Sequence, residues 1–110
     1  MNFNDYQLET RRTAPLNQDT LGSLVNFSMG LAGESGEVVD QVKKAAFQGH
    51  DIQFEQLANE LGDVLWYLSR AADAIGYKLS DIAQLNLDKL HKRYPNGFSE
   101  EDSINRVDEQ

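Results

Sequence analysis

The sequence contains no cysteine, which excludes a disulfide framework and a thiolate zinc site. Proline occurs twice, at Pro15 and Pro95, and both fall where helices are expected to stop. No apolar run approaches the roughly 20 residues needed to cross a bilayer, so no membrane partner is expected. No alternating strand pattern and no internal repeat is present. Basic residues are scarce: 10 Lys and Arg stand against 18 Asp and Glu, for a net charge of −8. That balance excludes the basic footprint needed to bind a nucleic-acid polymer through its backbone. It leaves room for a single nucleotide, because cations can mediate between carboxylates and phosphates. No opening run of basic, apolar and small residues marks the chain for export, and a cytoplasmic setting is the default expectation.

The 110 residues are enough for one domain with a modest core, and 40% apolar with 25% charged residues is an ordinary globular composition. Four helices are expected. The first covers about residues 2 to 13, capped by Asn2 or Asn4 and carrying Phe3, Tyr6 and Leu8 at loose helical spacing. The second starts at Asp19 or Thr20 and stops at Gly49, and the third follows Asp51 and stops at Gly76. The fourth opens at Ser80 and Asp81 and ends before Tyr94-Pro95-Asn96-Gly97. The expected architecture is all-α, a four-helix bundle-like domain over 1–98 with a loosely held acidic tail over 99–110.

The informative feature is a pair of acidic motifs, Glu34-Ser35-Gly36-Glu37 and Glu60-Leu61-Gly62-Asp63. In helices, each places two carboxylates at i and i+3 on one face. The phases agree. Leu24, Phe27, Leu31, Val38, Val42 and Ala45 form one apolar stripe, with Glu34 at its edge and Glu37 further round. Leu57, Leu61, Val64, Leu65, Leu68, Ala72 and Ile75 form another, with Glu60 and Asp63 in the same relation. Packing the two faces together gathers four like charges, which repel unless a cation lies between them, and a hard divalent cation suits oxygen ligands. For a lone Glu beside an apolar stripe a salt bridge to Arg93 or Lys44 is the simpler expectation, but two matched pairs favour a metal cluster. Gly33, Gly36 and Gly62 beside the acids are expected to allow close helix approach, small-residue packing or room for a ligand.

Around these motifs the chain resembles the MazG-like family of all-α nucleotide pyrophosphohydrolases. The resemblance is carried by Gly30-Leu31-Ala32-Gly33-Glu34, the two acidic motifs, Asn59 through Leu68, and the final-helix set Asn86, Lys89, Arg93 and Tyr94. It covers about residues 20 to 98. It implies hydrolysis of a nucleoside triphosphate between its α and β phosphates, giving the monophosphate and pyrophosphate, as in the clearing or control of nucleotide pools. It also implies Mg²⁺, with Mn²⁺ as a substitute, held by Glu34, Glu37, Glu60 and Asp63. Glu37 would further orient the attacking water. Lys44, Asn86, Lys89 and Arg93 become the candidates to hold phosphates, with Tyr67 bordering the site, and a homodimer or homotetramer is implied.

Asn86 falls inside the apolar stripe Leu79, Ile82, Ala83, Leu90, Tyr94 and so is expected to be buried and bonded. Trp66 is expected to pack against the first helix or another subunit, with nucleobase stacking as the sharper alternative. His50 and His91 have no partner at metal-ligand spacing. Narrower relatives on the same scaffold remain open, a dUTPase-like enzyme or a phosphoribosyl-ATP pyrophosphohydrolase, as does a non-catalytic helical oligomer.

Overall fold

The computed structural model describes residues 1–110 and is all-helical. Five helices form rather than four. They are α1 Phe3–Thr10, α2 Thr20–Phe47, α3 Phe54–Ala74, α4 Leu79–Arg93 and α5 Glu100–Asn105, with short 3₁₀ turns at Arg11–Thr13 and Val107–Glu109. Asn2 caps α1 by accepting from the Asp5 N–H, and Asp19 caps α2 by accepting from the Gly22 N–H. Gly49 and Gly76 end α2 and α3 with φ of 71° and 79°, a conformation in which a Cβ would be strained. At Gly76 the chain closes a Schellman motif, with Tyr77 N–H donating to the Ala72 carbonyl at 3.0 Å.

α2 and α3 form a long antiparallel hairpin, and α1 lies across the far end of α3. The face that α1 buries is polar, not the expected Phe3 and Leu8, which are exposed; Gln7 and Thr10 go inside instead. The reason is Arg70 of α3, itself buried. Its guanidinium donates to Thr10 Oγ1 at 2.8 Å, to the Gln7 carbonyl at 2.9 Å and to Asp73 Oδ2 at 3.1 Å. A buried cation needs such partners, and a polar helix face supplies them. Burial pushes the Asp73 carboxyl up, but the hydrogen bond from Arg11 and the charge of Arg70 outweigh it and hold it below the usual carboxylate range.

α4 starts at Leu79 without a side-chain cap from its own sequence. α1 provides the cap: Gln7 Oε1 accepts from the Leu79 N–H at 2.8 Å, and Asn4 Oδ1 from the Ser80 N–H at 3.3 Å. Beyond that anchor α4 keeps Leu85 and Leu87 exposed. Asn86 is exposed as well. The expectation that it is buried fails because no other helix of the chain covers the middle of α4. The expected loose tail is also corrected. Residues 100–109 form α5 and a 3₁₀ turn, and Asp108 takes a two-point hydrogen bond from Arg93 at 2.7 and 2.9 Å. The Asp108 side chain is 2% exposed and that of Arg93 11%. Each stabilises the charged form of the other, lowering the carboxyl and raising the guanidinium.

Candidate metal centre

Two stripes at alternating four- and three-residue spacing face each other across the hairpin: Gly30, Glu34, Glu37, Gln41 and Lys44 on α2, and Gln53, Gln56, Glu60, Asp63 and Tyr67, which run from the N-cap of α3 along one face. The register is fixed at Gly30. A Cβ there would run into the Tyr67 ring, with Cδ1 only 2.5 Å away. Trp66 packs edge-on against Tyr67 at 5.0 Å and against Phe27 at 5.8 Å, so the ring has little room to yield. Gly30→Ala is therefore expected to destabilise the fold by about 1–3 kcal/mol, the usual cost of overpacking, as measured by urea unfolding. Gly33, Gly36 and Gly62 are different, since a Cβ on each would meet nothing within 4 Å. Within the chain their small size serves no close contact and leaves space beside the acids.

With that register, Glu34, Glu60 and Asp63 come together, each offering a carboxylate oxygen within 4.8 Å of the others. Glu37 is not in this trio. It is exposed one turn along α2, close enough for its charge to act on Glu34 and Lys44. The Glu34 carboxyl is raised above its ordinary range, first by a hydrogen bond shared with Glu60, then by burial and the charges of Asp63, Glu60 and Glu37. An all-oxygen donor set whose members repel one another when charged fits a hard divalent cation.

The raised Glu34 carboxyl gives a stability prediction with a definite sign. The native state holds that proton more tightly than the unfolded chain, so its contribution is full at low pH and lost as pH rises through the raised value. Without divalent cations, Glu34→Gln is expected to be more stable than the parent at pH 7.5, with the gain shrinking toward the ordinary carboxylate range. Thermal unfolding of both proteins in EDTA across that range measures it.

On one side of the acids a cavity of about 380 Å³ is lined by Tyr6, Thr13, Glu34, Gly62, Asp63, Trp66 and Tyr67. Burial raises the Tyr6 phenol, with a further push from the charge of Asp63. Trp66 donates its indole N–H to Thr13 Oγ1 at 2.8 Å, fastening the segment after α1 to the cavity wall. The expectation that Trp66 packs toward the first helix thus meets the residues just after it. Tyr67 borders the acids as expected. Lys44 sits further along α2, paired with Asp40 at 2.8 Å, and that hydrogen bond raises its ammonium. Asn86, Lys89 and Arg93 line none of this cavity. Asn86 and Lys89 are exposed on α4, and Arg93 is occupied by Asp108 and Glu109.

Tyr6, Thr13 and the role of Gly30 escaped the sequence. Gly30 alone carried a usable signal, lying four residues before Glu34 on the same face.

Geometry and fold together define an all-α protein with an acidic centre between two antiparallel helices. Comparison with known sequences makes this specific. The chain belongs to the family of the MazG nucleotide pyrophosphohydrolase domain, which matches residues 24–98. It is also similar to the "Gene 37 protein" of Mycobacterium phage L5, with 35% identity over 92 residues, covering 80% of this chain and 81% of that one. No solved structure matches.

Proposed function

We propose that this protein is a Mg²⁺-dependent nucleoside triphosphate pyrophosphohydrolase, releasing a nucleoside monophosphate and pyrophosphate. The observation that carries the proposal is the meeting of Glu34, Glu60 and Asp63 across the hairpin, within 4.8 Å. These three would hold the cation, with Glu37 beside them. Bound there, Mg²⁺, or Mn²⁺ in its place, would neutralise the triphosphate and make a coordinated water more acidic.

The rest falls to the chain. Tyr67, Trp66 and Tyr6 offer an aromatic wall next to the acids, suited to a nucleobase. Glu37, exposed and outside the trio, orients water toward the α-phosphorus and accepts its proton. The water oxygen bonds to that phosphorus as its bond to the α–β bridging oxygen breaks, and the bridging oxygen leaves with the electron pair as part of pyrophosphate. No Cys or Ser nucleophile is required. A pyrophosphate-release assay with Mg²⁺ over canonical and damaged nucleoside triphosphates tests this; release from at least one is expected, and none from any would refute it.

The working form is proposed to be a homo-oligomer, acting in the cytoplasm. The accessible surface is 8057 Å², against about 6,100 Å² expected for a 12.4 kDa monomer. The radius of gyration is 17.0 Å, against about 13 Å for a compact chain of this length. Much of the surplus is apolar, including Leu21, Val25 and Met29 along α2 and Leu85 and Leu87 on α4. A second copy covering these faces would bring α4, with Asn86 and Lys89, toward a neighbouring acidic centre; Arg93 would join them only by releasing Asp108. Sedimentation equilibrium is expected to give a dimer or tetramer, and a monomer at micromolar concentration would contradict the assembly.

A further inference from the structure

A second cavity, of about 420 Å³, lies where α1 meets the turn between α3 and α4, and it shares no lining residue with the aromatic cavity beside the acids. Asn4, Gln7, Leu8 and Arg11 reach it at i, i+3, i+4 and i+7, one helical face, while Tyr6 goes to the aromatic cavity. α1 is thus a wedge between two cavities. The opposite wall carries Asp73, Tyr77 and Lys78. The chain has a net charge of −8, yet this wall is positive, with two cations and one acid. Both oxygens of that acid are taken: Asp73 Oδ1 by Arg11 at 2.8 Å and Oδ2 by Arg70 at 3.1 Å. Lys78 pairs with no acid of the chain. Asp81 and Asp88 line a separate cavity beyond Tyr77.

The side-chain groups left over are mostly donors. Arg11 spends one N–H on Asp73 and keeps the rest. Asn4 gives its Oδ1 to the Ser80 N–H, which leaves its amide N–H groups to donate. The Lys78 ammonium and the Tyr77 hydroxyl complete the set. Gln7 is fully used, donating to the Tyr77 carbonyl at 2.9 Å and accepting from the Leu79 N–H at 2.8 Å, so it joins the two walls rather than facing a ligand. We infer that this cavity binds the phosphate ester of a small organic molecule, its phosphate held between Arg11 and Lys78 and its organic part against Leu8 and the Tyr77 ring. The volume suits a whole small molecule better than a bare ion, since ligand pockets run from roughly 300 to 1,000 Å³. Phosphate also offers more acceptor oxygens than a carboxylate to donors arriving from four side chains. Lys78 is the N-cap residue of α4, so a ligand bridging it to Arg11 ties α1 to α4 and reinforces the docking that presents Tyr6. The inference does not depend on the triphosphate reading.

The test is calorimetric titration of the whole protein in EDTA at low salt with ribose 5-phosphate, inorganic phosphate and succinate as probes. EDTA removes any contribution from a metal at the acidic centre. Ribose 5-phosphate is expected to bind more tightly than inorganic phosphate, and succinate more weakly than either. Lys78→Met, at an exposed position with no partner to lose, is expected to weaken ribose 5-phosphate binding about tenfold. Arg11→Gln serves as a second variant with a similar loss, and circular dichroism of both should stay helical. Glu60→Ala should bind as the parent does, because the two sites are separate. Ribose 5-phosphate should also raise the unfolding temperature of the parent and do so less in Lys78→Met. Three results would overturn the assignment: no binding to the parent, equal binding by parent and Lys78→Met, or binding abolished by Glu60→Ala. Inorganic phosphate or succinate binding as tightly as the ester would overturn the ligand class. A protein that binds the ester here yet hydrolyses no triphosphate keeps this site and refutes only the catalytic proposal.

Discussion

Glu60→Ala is expected to lower pyrophosphate release by at least about a hundredfold. Loss of residues that merely support metal ligands commonly costs 10- to 100-fold, and Glu60 would be a ligand itself. Glu60 is also the carboxyl with which Glu34 shares a hydrogen bond, so its removal takes away one donor and the crowding that favours a cation. The same variant should bind Mn²⁺ weakly, read by electron paramagnetic resonance, while circular dichroism stays helical. Glu37 lies outside the trio and should behave differently. Its replacement by Gln should slow turnover with a smaller loss of metal affinity, because its proposed work is on the water. Equal activity in the parent and the Glu60 variant would remove the metal assignment altogether.

Arg70→Ala is expected to destabilise the fold by about 2–4 kcal/mol in urea unfolding at fixed protein concentration. It strips donors from Thr10 Oγ1 and the Gln7 carbonyl, both buried with it, and weakens the hold on Asp73. Arg11 still faces Asp73 at 2.8 Å, which keeps the loss below that of a fully orphaned buried charge. The comparison is built in: Arg11→Ala breaks an exposed pair and should cost no more than about 1 kcal/mol. The consequences of Arg70→Ala reach the site. Its network docks α1, and α1 both supplies Tyr6 to the cavity wall and caps α4 through Gln7. Reduced pyrophosphate release from Arg70→Ala at temperatures where it remains folded would reflect that docking.

These two residues mark the boundary of what the sequence made legible. Glu60 was legible because acids at i and i+3 on two helices are a local pattern, and helix periodicity alone gave their phase. The ends of α2 and α3 were legible for the same reason, since Gly49 and Gly76 act on the backbone of their own turns. Arg70 was not. It occupies a position of α3 that local rules assign to solvent, and two of its three partners, Thr10 and Gln7, lie about 60 residues away in α1. The α4 start is hidden likewise: Ser80 and Asp81 look like caps, but Gln7 and Asn4 do the capping from another helix. Asn86 is exposed because an apolar stripe predicts burial only where another surface covers it, and none in the chain does. The C-terminal residues read as a loose tail because nothing local shows that Asp108 meets Arg93. Long-range polar pairing, and which helix faces the rest of the chain leaves uncovered, were the parts hidden from local sequence rules.

Diffraction from crystals grown with Mn²⁺, recorded at the manganese absorption edge, tests the central claim most directly. An anomalous peak within direct coordination distance of the Glu34, Glu60 and Asp63 carboxylates is the expected result. Manganese bound only elsewhere, with these three side chains turned from one another, would contradict it.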